Sequence, residues 1–91
     1  MDGLEIRRKR ALYRAHHRGT KELDLIIGRY AQKRVPEMDE AQLALFEHFL
    51  SLQDPELDRW IRTGEAPESV ASVIDDVRSF YDLGNASKIV V

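Results

Sequence analysis

The 91 residues, 43% hydrophobic and 33% charged, describe one small globular domain without room for a second core. With no cysteine there is neither a disulfide staple nor a thiol nucleophile, so stability has to come from apolar packing alone. No apolar run approaches the roughly 20 residues needed to cross a bilayer, and Met1-Asp2-Gly3-Leu4-Glu5 lacks the apolar stretch of a secretory signal, so a bacterial cytoplasmic protein without membrane insertion is expected.

The net charge of −2 hides a division. Residues 1–36 hold ten Lys/Arg against four Asp/Glu, a balance of +6; residues 37–91 hold four against twelve, a balance of −8. Such an asymmetry leaves two readings open: a basic docking face, or two halves that neutralise each other in the fold.

Gly19, Pro36, Pro55, Gly64, Pro67 and Gly84 divide the chain into five segments of helical periodicity. The first, about residues 4–17, sets Leu4, Ala11, Leu12 and Ala15 on one side and repeats Arg7, Arg10, Arg14 and Arg18 as a basic stripe on another. Gly19 follows where a C-cap glycine is expected. In the second segment Thr20 is placed to N-cap, and Leu23, Ile26, Ile27, Tyr30 and Ala31 trace a buried face until Val35-Pro36 ends it. Glu22 falls in the first turn, where the helix dipole favours a carboxylate.

Asp39, with Gln42 three residues on, opens the third segment. Leu43, Phe46 and Leu50, widened by Leu45, Phe49 and Leu52, make this the greasiest stretch and the expected centre of the core. Asp54-Pro55 reads as an N-cap followed by proline at the first helical position; Leu57, Trp60 and Ile61 face inward and Gly64 stops the helix. The fifth segment begins near Pro67-Glu68 with Val70, Val73, Ile74, Val77, Phe80 and Tyr81 at spacings of three and four, which excludes a strand. Gly84 is its expected stop and residues 85–91 a tail. The fold class is all-α: a compact five-helix bundle, one domain over residues 1–91 with a core at about 4–83.

Catalytic constellations are absent from this pattern. His16, His17 and His48 pair with no carboxylate at metal-binding helix spacing, and neighbours such as His16 and His17 point about 100° apart on a helix. No glycine-rich phosphate loop occurs. The basic run Arg7-Arg8-Lys9-Arg10 with Arg14, Arg18 and Lys21 is the one nucleic-acid-like feature, opposed by a pI near 5.9 and the acidic remainder.

Arg18-Gly19-Thr20-Lys21-Glu22-Leu23-Asp24 resembles the Arg-Gly-x-x-Glu hallmark of the SdhE family of succinate dehydrogenase assembly factors, or flavinators. Asp54-Pro55-Glu56-Leu57 with Trp60 and Gly64 resembles that family's second recognisable stretch. The resemblance implies a helper without catalytic residues that binds the flavoprotein subunit of succinate dehydrogenase, or of fumarate reductase, and promotes covalent attachment of FAD to it. It also implies that no cofactor or metal is held stably, that nucleic acid is not the partner, and that a monomer is the working form. Carried over by position, the partner-binding residues are Arg18, Gly19 and Glu22, with Asp24, Arg14 and His17 beside them. In this reading Gly19 lets the backbone approach closely or adopt positive φ, Arg18 makes paired hydrogen bonds to a carboxylate or carbonyls, and Glu22 accepts from a partner cation or orients Arg18. The runner-up is an antitoxin-like or nucleic-acid-associated module that uses the arginine stripe.

Overall fold

A computed structural model describes residues 3–81. Five α-helices follow in order: α1 (Gly3–His16), α2 (Lys21–Arg34), α3 (Glu40–Leu50), α4 (Asp54–Thr63) and α5 (Glu68–Phe80), with a 3-10 turn at Val35–Glu37. No strand occurs among the described residues. The all-α bundle expected from periodicity is therefore present; the proposed stop at Gly84, the core's limit at residue 83 and the tail at 85–91 lie outside the described residues.

The core forms where the apolar stripes meet. Ala11 and Ala15 of α1 let α2 approach closely, and Gly28 on α2 takes the same role from the other side: a Cβ there would stand 2.5 Å from Nδ1 of His16. Leu23, Ile27, Tyr30 and Ala31 then face Leu43, Phe46, Phe49 and Leu50 of α3, with Leu57, Trp60 and Ile61 of α4 and Val70, Val73, Ile74 and Val77 of α5 completing the cluster. Phe46 stacks on Phe49 at 5.7 Å between centroids, and Tyr30 meets Phe46 at the same distance. With Val35 and Met38 the buried side chains number nineteen, all apolar in class; no residue with a charged side chain reaches full burial among the described residues.

Helix ends follow their local chemistry with two departures. Thr20 accepts from the Leu23 amide at 3.1 Å, Asp39 and Gln42 form a reciprocal capping box, and Gly64 takes φ 81°, where a side chain would be strained. Val35, however, keeps helical angles (φ −58°, ψ −42°) ahead of Pro36, and the chain tightens into the 3-10 turn instead of extending. Asp54 is not the N-cap of α4; that position belongs to Gln53, and Asp54 is the first helical residue. Leu45, expected to widen the core face, is 43% exposed.

Candidate functional site

The Arg18–Glu22 segment lies between α1 and α2 and is held from three directions. Asp24 on α2 accepts a hydrogen bond from the Arg18 backbone N–H, which ties the turn to the helix it precedes. Thr20 caps that helix, and the Asp24 amide donates to the Thr20 carbonyl at 3.0 Å. On the far side His17 donates through Nδ1–H to the Tyr13 carbonyl, 2.7 Å away, and stacks on the Tyr13 ring at 4.0 Å.

The third anchor comes from the α3–α4 corner. The Arg18 guanidinium donates through Nε to Asp54 Oδ1 at 2.9 Å, through Nη1 to the Leu50 carbonyl at 2.6 Å and through Nη2 to the Leu52 carbonyl at 2.8 Å; Nη2 also stands 2.8 Å from Asp54 Oδ1. Leu50 is the last residue of α3 and Asp54 the first of α4. The cation thus serves carbonyls left over at a helix C-terminus, while the carboxylate sits at the positive end of the next helix. Only 10% of the Arg18 side chain is exposed. The carboxylate and carbonyls that Arg18 engages are those of Asp54, Leu50 and Leu52 within the fold, so the guanidinium is turned inward.

Of the two roles open to Gly19, close backbone approach and positive φ, the structure shows the first. Gly19 does not take the left-handed conformation of a C-cap; Gly64 is the one glycine with positive φ among those described. Its amide donates to Asp54 Oδ2 at 2.7 Å, and a Cβ on Gly19 would overlap that same oxygen. Glycine is required by close approach to Asp54, not by φ.

Glu22 is exposed on the first turn of α2, and among the described residues no hydrogen bond or ion pair joins it to Arg18. With Thr20, Leu23, Asp54, Pro55 and Asp58 it lines a cleft of about 210 Å³. Around the turn stand His17 and Lys21, both exposed, and further along the same helices Tyr13 and Leu25 are 64% and 54% exposed. Arg14 is drawn elsewhere: its charge helps hold the Glu47 carboxyl low, on the α3 side. The structure thus gathers Arg18, Gly19, Glu22 and Asp24 around one turn, sets His17 beside it, and leaves Arg14 apart.

Part of the basic run is tied within the fold, while Arg10 stays exposed. Arg7 donates to Glu47 at 2.8 and 3.2 Å and reaches Glu40 at 3.4 Å, Arg8 donates to the Met38 carbonyl at 2.7 Å, and Arg18 is turned in. Arg7, Arg18 and Arg34 pair across the charge division, with Glu40 and Glu47, Asp54 and Asp76. Among the described residues no group of three or more His, Asp or Glu side chains converges as a metal site.

Sequence reasoning missed Asp54 as the hub, because the Arg18 contact spans 36 positions and the Asp-Pro pair already explains itself as a helix start. It also missed a second cleft, about 510 Å³, at the opposite end of α2, bordered by Tyr30, Arg34, Met38, Leu45, Val73 and Asp76.

A family model described as flavinator of succinate dehydrogenase matches residues 9–81. The chain is 40% identical over 60 residues to the FAD assembly factor SdhE of Acetobacter pasteurianus, covering 66% of this chain and 55% of that protein. It is 38% identical over 63 residues to the mitochondrial succinate dehydrogenase assembly factor 2 of Arabidopsis thaliana, covering 69% of this chain and 34% of that one. The FAD assembly factor SdhE of Legionella pneumophila (strain Lens) is 32% identical over 65 residues, 71% of this chain and 82% of its own length. The match therefore spans about half of the Acetobacter protein and a third of the Arabidopsis one.

Proposed function

The chain belongs to the family of succinate dehydrogenase flavinators, and we propose that it is an assembly factor that binds the flavoprotein subunit of succinate dehydrogenase and promotes covalent attachment of FAD to it. The flavoprotein subunit of fumarate reductase is the second client in this reading. The protein works as a monomer in the bacterial cytoplasm, keeps no FAD of its own and contributes no catalytic group.

One observation carries the reading: the motif turn is closed on itself through Asp54 and Asp24, so that Glu22 stands exposed on a backbone fixed before any partner arrives. A surface already in its binding geometry loses little entropy on docking. The flavin's ring system supplies the electrophile for its own attachment, and the helper supplies proximity by favouring a client conformation in which the acceptor side chain and flavin stand close. Glu22 accepts from a client cation, with His17 and Lys21 flanking it and Tyr13 and Leu25 offering apolar contact nearby. The arginine stripe gives the nucleic-acid reading little support, since Arg7, Arg8 and Arg18 already have acceptors inside the fold.

Two variants test this. Gly19→Arg forces a side chain against Asp54 and distorts the turn; Glu22→Ala leaves the turn intact and removes the contact. Both lower covalent flavin on the client, read by in-gel flavin fluorescence, and both weaken co-purification, while helical circular dichroism is retained at least by Glu22→Ala. Normal flavinylation by both variants would refute the role.

A further inference from the structure

We propose that Asp54 is the positioning residue of the motif: by holding Arg18 and Gly19 together it fixes how Glu22 is presented. The proposal rests on the docking role above and names the residue, outside the motif, on which that role depends.

The carboxylate reaches two adjacent residues through different parts of the chain. Oδ1 takes the Arg18 side chain at 2.9 and 2.8 Å, and Oδ2 takes the Gly19 main-chain N–H at 2.7 Å. A side-chain grip and a main-chain grip on neighbouring residues fix both the place and the tilt of the turn against α4. Thr20 then caps α2 one residue later, so the tilt passes directly into the first turn that carries Glu22. No capping bond competes with this grip: Gln53 is the N-cap of α4, and no side-chain capping bond forms there.

Aspartate is singled out chemically. Both of its oxygens face donors, so an asparagine in its place turns an N–H₂ toward one of them. Glutamate carries its carboxylate one carbon further and so moves both oxygens away from the positions that meet Arg18 and Gly19. Conversely, the overlap that a Cβ on Gly19 would make is with Asp54 Oδ2. Gly19 and Asp54 are a matched pair, each limiting what the other can be.

The test is a double-mutant cycle on the full chain, with affinity for the purified apo-flavoprotein subunit of succinate dehydrogenase as the readout. Asp54→Ala weakens binding about tenfold, the scale of one lost charge-assisted hydrogen bond. In a Glu22→Ala background the same change weakens it by no more than about twofold, because the group being presented is gone. A purely structural role would give equal factors in both backgrounds, and equal factors overturn the proposal, as does wild-type affinity in Asp54→Ala. Amide hydrogen exchange gives an independent arm: in Asp54→Ala the Arg18 and Gly19 amides lose protection while Leu23 to Ala31 keep theirs. Unchanged protection at Gly19 overturns the proposal. A wild-type chain with no affinity for the subunit would defeat the docking role itself, and the exchange arm would still decide whether Asp54 holds the turn.

Discussion

At one end of α2 Arg18 meets Asp54; at the other Arg34 meets Asp76, and the two pairs are built differently. Arg18 is 10% exposed, and each of its guanidinium nitrogens has an acceptor within 2.9 Å. Arg34 is 39% exposed and lies 3.5 Å from Asp76; its Nε is out of contact with solvent yet forms no hydrogen bond. Asp76 Oδ2 instead accepts from the Tyr30 hydroxyl at 2.6 Å, and the Arg34 guanidinium rests over the Phe80 ring at 5.4 Å. The larger cleft accompanies the loose pair and the smaller one the tight pair. In the proposed docking role a fixed and projecting surface matters more than enclosed volume, which favours the smaller site.

Truncating each arginine is the most direct way to break that contrast. Arg18→Ala strands the Leu50 and Leu52 carbonyls and leaves Asp54 holding only Gly19, and is expected to cost about 2–3 kcal/mol, or roughly 10–20 °C in melting temperature for a domain this size. Arg34→Ala removes a long, partly exposed ion pair and a ring contact, and is expected to cost about 1 kcal/mol or less. Thermal denaturation followed by circular dichroism compares the two; equal losses would mean that the closed network confers nothing beyond an ordinary surface pair.

The contrast also separates what the sequence carries locally from what only the fold creates. Helical spacing was enough to place the five helices and nearly all of the core, from Leu23 to Val77, because burying one stripe is a property of each segment by itself. Thr20, the Asp39–Gln42 box and Gly64 were legible for the same reason. The site was legible only as a string of letters. Arg18 and Asp54 are joined by the packing of the α1–α2 turn against the α3–α4 corner, and no periodicity links residues so far apart. So Arg18 read as the end of a basic stripe, Asp54 as a cap and Gly19 as a turn glycine, whereas all three belong to one network. The charge division had two open readings; Arg7 on Glu47 and Arg18 on Asp54 favour mutual neutralisation.

A milder perturbation probes the loose end. Burial, reinforced by the hydrogen bond to Asp76, pushes the Tyr30 phenol well above its usual range. The folded state therefore favours the protonated ring, and this contribution is complete below about pH 10 and lost as pH rises toward the folded value. Tyr30→Phe is expected to cost about 1 kcal/mol at neutral pH and to remove that part of the alkaline loss. Denaturant melts at neutral and alkaline pH measure both. A loss as large as that of Arg18→Ala would make this end of α2 the tighter one.

The smallest expected effect sharpens the comparison by adding a third pair, Arg7 with Glu47 between α1 and α3. The hydrogen bond from Arg7 holds the Glu47 carboxyl below the usual carboxylate range, against the opposing influence of burial. A depressed carboxylate stabilises the fold above its unfolded pKa, and the contribution is lost as pH falls through the folded value. Glu47→Gln is therefore expected to be slightly less stable than wild type near neutrality, with the gap closing on acidification in denaturant melts. Added salt should narrow the same gap at neutral pH, because both partners are about 30% exposed (31% and 29%) and screening reaches them. The Arg18–Asp54 network, closed to solvent on most sides, should keep its contribution in salt. A Glu47→Gln gap that ignores both acid and salt would mean that the side chain's packing, and not its charge, joins α1 to α3.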